Sequence, residues 1–121
     1  SPSMNADVID VAVAGGAVSL PGVMTPSESL AALDAGASGL KMFPASVLGS
    51  AGIAAIKAVL PADTQICAVG GVSHNDFADY MAAGIQGFGL GSSLYRPGDT
   101  LQMVQAKAEA AIAAYDSACQ R

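Results

Sequence analysis

Hydrophobic residues in this chain gather in four short runs, and each run is followed by a longer stretch carrying helix signals. Residues 17–22 (AVSLPG), 39–43 (GLKMF), 65–69 (QICAV) and 86–91 (QGFGLG) read as strands bounded by glycine or proline. After the first run, Thr25-Pro26-Ser27-Glu28 forms a capping box with proline at the first helical position. That helix is predicted to run to about Ala35 and stop at Gly36, a residue free to take the left-handed conformation. The second run leads through a Gly/Pro/Ser loop into a helix over about residues 51–60, closed by Pro61. The third meets Gly70-Gly71, then a helix that starts at Ser73 or His74 and ends before Gly84. The fourth passes Ser92-Ser93 into a long helix over about residues 100–118. Strand starts near 17, 39, 65 and 86 lie 22, 26 and 21 residues apart. That spacing is the rhythm of consecutive βα units on a parallel sheet.

The first element breaks the rhythm. A helix is predicted over about residues 5–14, capped by Ser3 and ended by Gly15-Gly16, yet only Ser1-Pro2-Ser3 precedes it. Those three residues read as the tail of a strand. Parallel sheets are covered on both faces or closed into a barrel, and four strands alone leave two open edges and a bare face. The expected architecture is therefore α/β, with residues 1–121 supplying about the last four βα units of a (β/α)8 TIM barrel and no internal domain boundary. Such a barrel takes roughly 200 residues or more, so about 80–90 residues are expected upstream.

Composition fits that picture. The chain is 52% hydrophobic and 12% charged, more apolar than a domain of 121 residues usually is. Disorder is excluded for so apolar a chain. Ten acidic and five basic residues give a net charge of −5. The cations Lys41, Lys57, Arg96, Lys107 and Arg121 are scattered, so there is no basic stripe to bind nucleic acid. An anionic ligand must then be held by few side chains and by backbone. No window offers the roughly 20 apolar residues of a membrane span. Cys67 and Cys119 lack the spacing of a disulfide scaffold or a zinc site. His74, beside a helix cap, reads as a solvated residue and not as a metal ligand, and no cofactor is expected. No targeting segment is recognisable, and a cytoplasmic location is expected.

Two features carry chemistry. Lys41 lies in Gly39-Leu40-Lys41-Met42-Phe43-Pro44, at the C-terminal end of a strand, the edge where barrels place catalysis. An ammonium among apolar groups loses hydration, which favours a neutral, nucleophilic amine able to form a Schiff base. The plainer reading is a stem lying on apolar surface with its head in water. The second feature is a pair of glycine turns, 68–72 (AVGGV) and 89–94 (GLGSSL), at the last two strand ends. Barrels bind phosphate there through backbone N–H groups, and glycine permits close approach. Ser92 and Ser93 add hydroxyl donors, although each turn alone could be an ordinary tight turn. Glu28 is assigned to its capping box, and Asp76 and Asp79 to first helical turns, where the helix dipole favours them. Met24, Met42, Met81 and Met103 read as core filler, while Tyr95 and Arg96 fit either a site mouth or a subunit contact.

Taken in order, Leu20-Pro21-Gly22, Thr25-Pro26-Ser27-Glu28, Ala35-Gly36-Ala37, Leu40-Lys41-Met42-Phe43-Pro44, Lys57-Ala58-Val59-Leu60-Pro61 and the two glycine turns, with Tyr95-Arg96, form a distinctive series. Over essentially the whole chain it resembles the 2-keto-3-deoxy-6-phosphogluconate/galactonate class I aldolases. The AVGGV and GLGS-x-LYR-x-G forms are more similar to the 6-phosphogalactonate branch. The resemblance implies that Lys41 forms the Schiff base. It makes Gly70, Gly71, Gly91, Ser92 and Ser93 the phosphate site, with Phe43 and Pro21 lining the pocket around the imine. It also implies cleavage of 2-dehydro-3-deoxy-6-phosphogalactonate, or its gluconate epimer, to pyruvate and glyceraldehyde 3-phosphate, and a homotrimer. The family's catalytic Glu, and the Arg and Thr at the substrate's carboxylate end, belong to the barrel's first half and match no residue here. Two alternatives stand beside this reading: another phosphate-binding barrel isomerase or synthase, or a catalytically inactive half-barrel serving in assembly.

Overall fold

A computed structural model describes residues 1–120; Arg121, one of the five cations, lies outside them. In chain order the elements are α1 (Ala6–Ala14), β1 (Gly22–Val23), α2 (Pro26–Asp34), β2 (Leu40–Met42), α3 (Ala45–Lys57), β3 (Ile66–Val69), a 3₁₀ turn (His74–Asp76) entering α4 (Phe77–Ala82), β4 (Gly87–Gly89) and α5 (Leu101–Cys119). The four strands form one sheet in sequential order, every pair parallel. The fold is α/β with strand and helix alternating, as the hydrophobic pattern predicts.

Local chemistry accounts for most boundaries. The Thr25 side chain accepts the Glu28 N–H at 3.2 Å, while the Glu28 carboxylate accepts the N–H groups of Met24 and Thr25 at 2.9 and 3.0 Å. Donors left unpaired at the start of α2 are thereby satisfied. Ser73 and Asp76 build a second capping box before α4. Three boundaries differ from the sequence expectation. Asn5, not Ser3, caps α1: its extended backbone lets Oδ1 accept the Val8 N–H at 3.2 Å. The first strand is Gly22–Val23, which overlaps the expected run 17–22 only at Gly22; Pro21, just before it, has no N–H to give to a ladder. Helix α3 begins at Ala45, six residues before the predicted start, and is broken at Gly49, where φ is +66° and ψ 168°. The predicted helix corresponds to its second segment.

The sheet has two unlike faces. Val23, Leu40, Met42, Ile66 and Ala68 are buried in the core together with Ile9, Ala32, Ile53 and Ile56 from the helices. Phe88 extends that core by stacking on Phe77, ring centroids 4.0 Å apart. Strand alternation turns Lys41, Cys67 and Val69 to the other side, with Gly87 and Gly89, and all five stay partly exposed. The methionines divide: Met42 is fully buried, whereas Met24 and Met103 are 36% and 48% exposed and are not core filler. Met103 lies on α5, a helix with no buried residue. Among the described residues, no helix is long and apolar enough to cross a membrane.

Candidate active site

Lys41 occupies the middle of β2 and is held from both sides. Its N–H donates to the Pro21 carbonyl at 3.0 Å, and its strand position pairs with Cys67 of β3. The ammonium lies 5.3 Å from the centroid of the Phe43 ring, within cation–π range. It makes no ion pair among the described residues, where the one salt bridge is Asp99–Lys107. Burial pushes the Cys67 thiol above its ordinary pKa, and the positive charge of Lys41 partly opposes that. The carboxylates near the strand ends are engaged elsewhere: Glu28 in the α2 cap, Asp76 in the α4 cap, and Asp99 with Lys107 and the Arg96 N–H. None of them is left free to act on Lys41.

Both glycine turns and Phe43 enclose a cavity of about 400 Å³ at the C-terminal ends of the strands. The structure brings together five of the sequence-predicted residues there: Phe43, Gly70, Gly71, Gly91 and Ser92. The first turn needs glycine for its own folding. Gly70 and Gly71 have φ of +94° and +71°, and a Cβ on Gly70 would lie 3.0 Å from the Phe43 ring, while one on Gly71 would collide with Ser46 Oγ. Gly91 differs. A Cβ there would meet nothing within 4 Å and its φ is not left-handed, so nothing in this chain demands glycine at that position.

The remaining predicted residues sit outside the cavity lining. Ser93 donates its hydroxyl to the Val72 carbonyl at 2.8 Å, tying the second turn to the first. Pro21 is buried and reaches Lys41 through its carbonyl. Arg96 folds back on the second turn, its Nε donating to the Ser92 carbonyl at 3.1 Å. Sequence reasoning passed over Val69, which lines the cavity, and Cys67, beside Lys41. Alternation along QICAV puts both on one face, but only the register with β2 reveals that this is the face of Lys41. Among the described residues, no three His, Cys, Asp or Glu side chains are grouped as a metal site would need. The site is a lysine on an uncovered sheet face, next to a hollow whose wall combines four glycines with Phe43, Val69, Val72, Leu90 and Ser92.

Comparison with known proteins bears on what such a site does. A family model described as "Aldolase: KDPG and KHG aldolase" matches residues 1–112. A Rhizobium meliloti protein named "Probable 2-dehydro-3-deoxy-6-phosphogalactonate aldolase" is 60% identical over 117 residues, covering 97% of this chain and 55% of its own. The 2-dehydro-3-deoxy-6-phosphogalactonate aldolase of Escherichia coli K12 is 43% identical, covering 99% of this chain and 58% of its own. A solved structure titled "Native KDPGal structure" superimposes with a TM-score of 0.97 over 100% of this chain and 59% of that one, at 43% identity. The chain thus spans little more than half the length of the curated relatives it matches.

Proposed function

The chain belongs to the KDPG and KHG aldolase family, and from that premise we propose that it supplies the last four βα units of a (β/α)8 barrel acting as a class I aldolase. The substrate is a 2-keto-3-deoxy sugar acid phosphorylated at C6, of the galactonate branch, whose named enzymes include the relatives described above. Lys41 attacks the C2 ketone and expels water, giving a protonated imine. When a base removes the C4 hydroxyl proton, the C3–C4 bond breaks and its electron pair flows into the iminium to form an enamine. Glyceraldehyde 3-phosphate leaves, C3 takes up a proton, and hydrolysis returns pyruvate and the free amine. The base belongs to the other half of the barrel, since the carboxylates near the strand ends here are bound in caps and turns. Phe43 and Pro21 flank the imine. The backbone of Gly70, Gly71 and Gly91, with Ser92 and Ser93, holds the phosphate, which fixes the substrate far from the bond that breaks.

One observation carries this reading: a lysine on the middle of β2 shares a sheet face with a hollow that two glycine turns form at the C-terminal strand ends. Gly91 supports it further, because a glycine that the fold leaves unconstrained fits close approach by a ligand. The test is to incubate the full-length protein with pyruvate and sodium borohydride and map the adduct by mass spectrometry. The expected result is a reduced adduct on Lys41 that vanishes in Lys41→Ala. A phosphate-binding isomerase gives no adduct, and that outcome rejects the aldolase.

A further inference from the structure

On the uncovered face of the sheet, one row crosses all four strands: Gly22 pairs with Lys41, Lys41 with Cys67, and Cys67 with Gly87. Only the two middle positions carry side chains. Toward β1, the space a side chain on Gly22 would need is filled by the backbone of Pro2 and Ser3. Toward β4, a Cβ on Gly87 would touch only Cys67 Cβ, at 3.6 Å. Cys67 is thus the single side chain standing beside Lys41 in its row, about one interstrand spacing (~4.8 Å) away along the backbone. The lysine's head lies farther toward the strand ends, at 5.3 Å from the Phe43 ring. Its stem therefore spans from the level of Cys67 to the level of Phe43.

We propose that Cys67 is a positioning residue for Lys41: it walls the β3 flank of the lysine stem and keeps the amine over Phe43, at the edge of the glycine-lined cavity. This rests on reading Lys41 as the Schiff-base lysine. A four-carbon stem without a neighbour samples many rotamers, and a wall on one side narrows them. Cysteine suits the place because it is small and apolar. Burial holds its thiol protonated, so it sets no negative charge beside the amine. A carboxylate in the same position would stabilise the ammonium and silence it.

The experiment measures the rate of borohydride-trapped pyruvate adduct on Lys41 in the full-length protein, against pyruvate concentration and pH, with thermal melts of each variant. Cys67→Ala is expected to slow trapping ~10-fold at saturating pyruvate, because the nucleophile is misplaced. Half-saturation should stay unchanged. Cys67→Ser, which restores a side chain of similar size, is expected to recover the rate to within about threefold of wild type. Cys67→Asp is expected to move the pH midpoint of trapping upward by about one unit, as a carboxylate close to an amine does. If Cys67→Ala melts too early to assay, the Asp midpoint decides. Wild-type trapping in Cys67→Ala, or an unmoved midpoint in Cys67→Asp, overturns the positioning role while leaving the aldolase reading intact. No adduct on wild-type Lys41 removes both.

Discussion

A side chain on Gly71 would collide with Ser46 Oγ at a backbone φ of +71°, whereas one on Gly91 would meet nothing within 4 Å. Identical residues in two adjoining turns thus answer to different demands, and the two alanine variants should part company. Gly71→Ala is expected to destabilise the fold by about 1–3 kcal/mol, since the strained backbone and the clash both oppose it. Gly91→Ala should leave the unfolding free energy, measured in urea, within about 0.5 kcal/mol of wild type. If the proposed phosphate site is right, this variant should nonetheless weaken binding of a C6-phosphorylated substrate analogue ~10-fold, read by calorimetry, because a Cβ there would intrude on that site. Equal binding by Gly91→Ala and wild type would remove Gly91 from the phosphate site. Lys41 and both glycine pairs were legible from sequence because each belongs to a short contiguous signal. Cys67 and Val69 were not, since the place of Cys67 beside Lys41 comes from a register between positions 26 residues apart in the chain, and that of Val69 in the cavity from the way separate segments come together. Ser93 was legible only as a donor; that its hydroxyl is directed to Val72 is a tertiary fact.

Helix α2 shows how far four consecutive residues can specify an element. Thr25-Pro26-Ser27-Glu28 predicts the helix start, the cap and the role of Glu28, and the structure reproduces all three. Thr25→Ala should cost about 1 kcal/mol, measured by denaturant unfolding. A hydrogen bond from the Met24 N–H does most to hold the Glu28 carboxyl below its ordinary value of 4.5; burial opposes it, and smaller contributions from the Thr25 hydroxyl and N–H add to the lowering. A pKa depressed by folding adds stability that is complete above that ordinary value and is lost as acid titrates the carboxylate. The gap between wild type and Glu28→Gln should therefore narrow as the pH falls below about 4.5; because Glu28 is exposed, the effect is small. A constant gap across that range would assign the cap's contribution to uncharged contacts. Helix α3 is the contrasting case. Its early start depends on the Ser46 N–H donating to the Gly70 carbonyl at 3.0 Å, a contact that no local pattern encodes.

At the scale of the molecule, the uncovered face and the flanks of the sheet set the expectation. Beside β4 a groove of about 370 Å³ is lined by Phe77, Phe88, Leu90, Ile112 and Tyr115, an apolar surface at the strand where the sheet ends. If the proposed barrel is right, these 121 residues alone should bind a hydrophobic dye and self-associate in sedimentation. Adding the complementary half should quench the dye signal. A dye-silent monomer would show that the chain closes its own surface and would count against the barrel. Several properties followed from sequence alone: the βα alternation, the α2 cap, the glycine turns, and a lysine within the second strand. These are local, because hydrogen-bonding periodicity, capping and backbone freedom act over a few residues. The tertiary structure decided which side chains share the lysine's face, which glycines the fold itself requires, and which hydroxyl ties one turn to the next. Those depend on strand register and on contacts between distant segments, which the hydrophobic pattern leaves open until the strands pair.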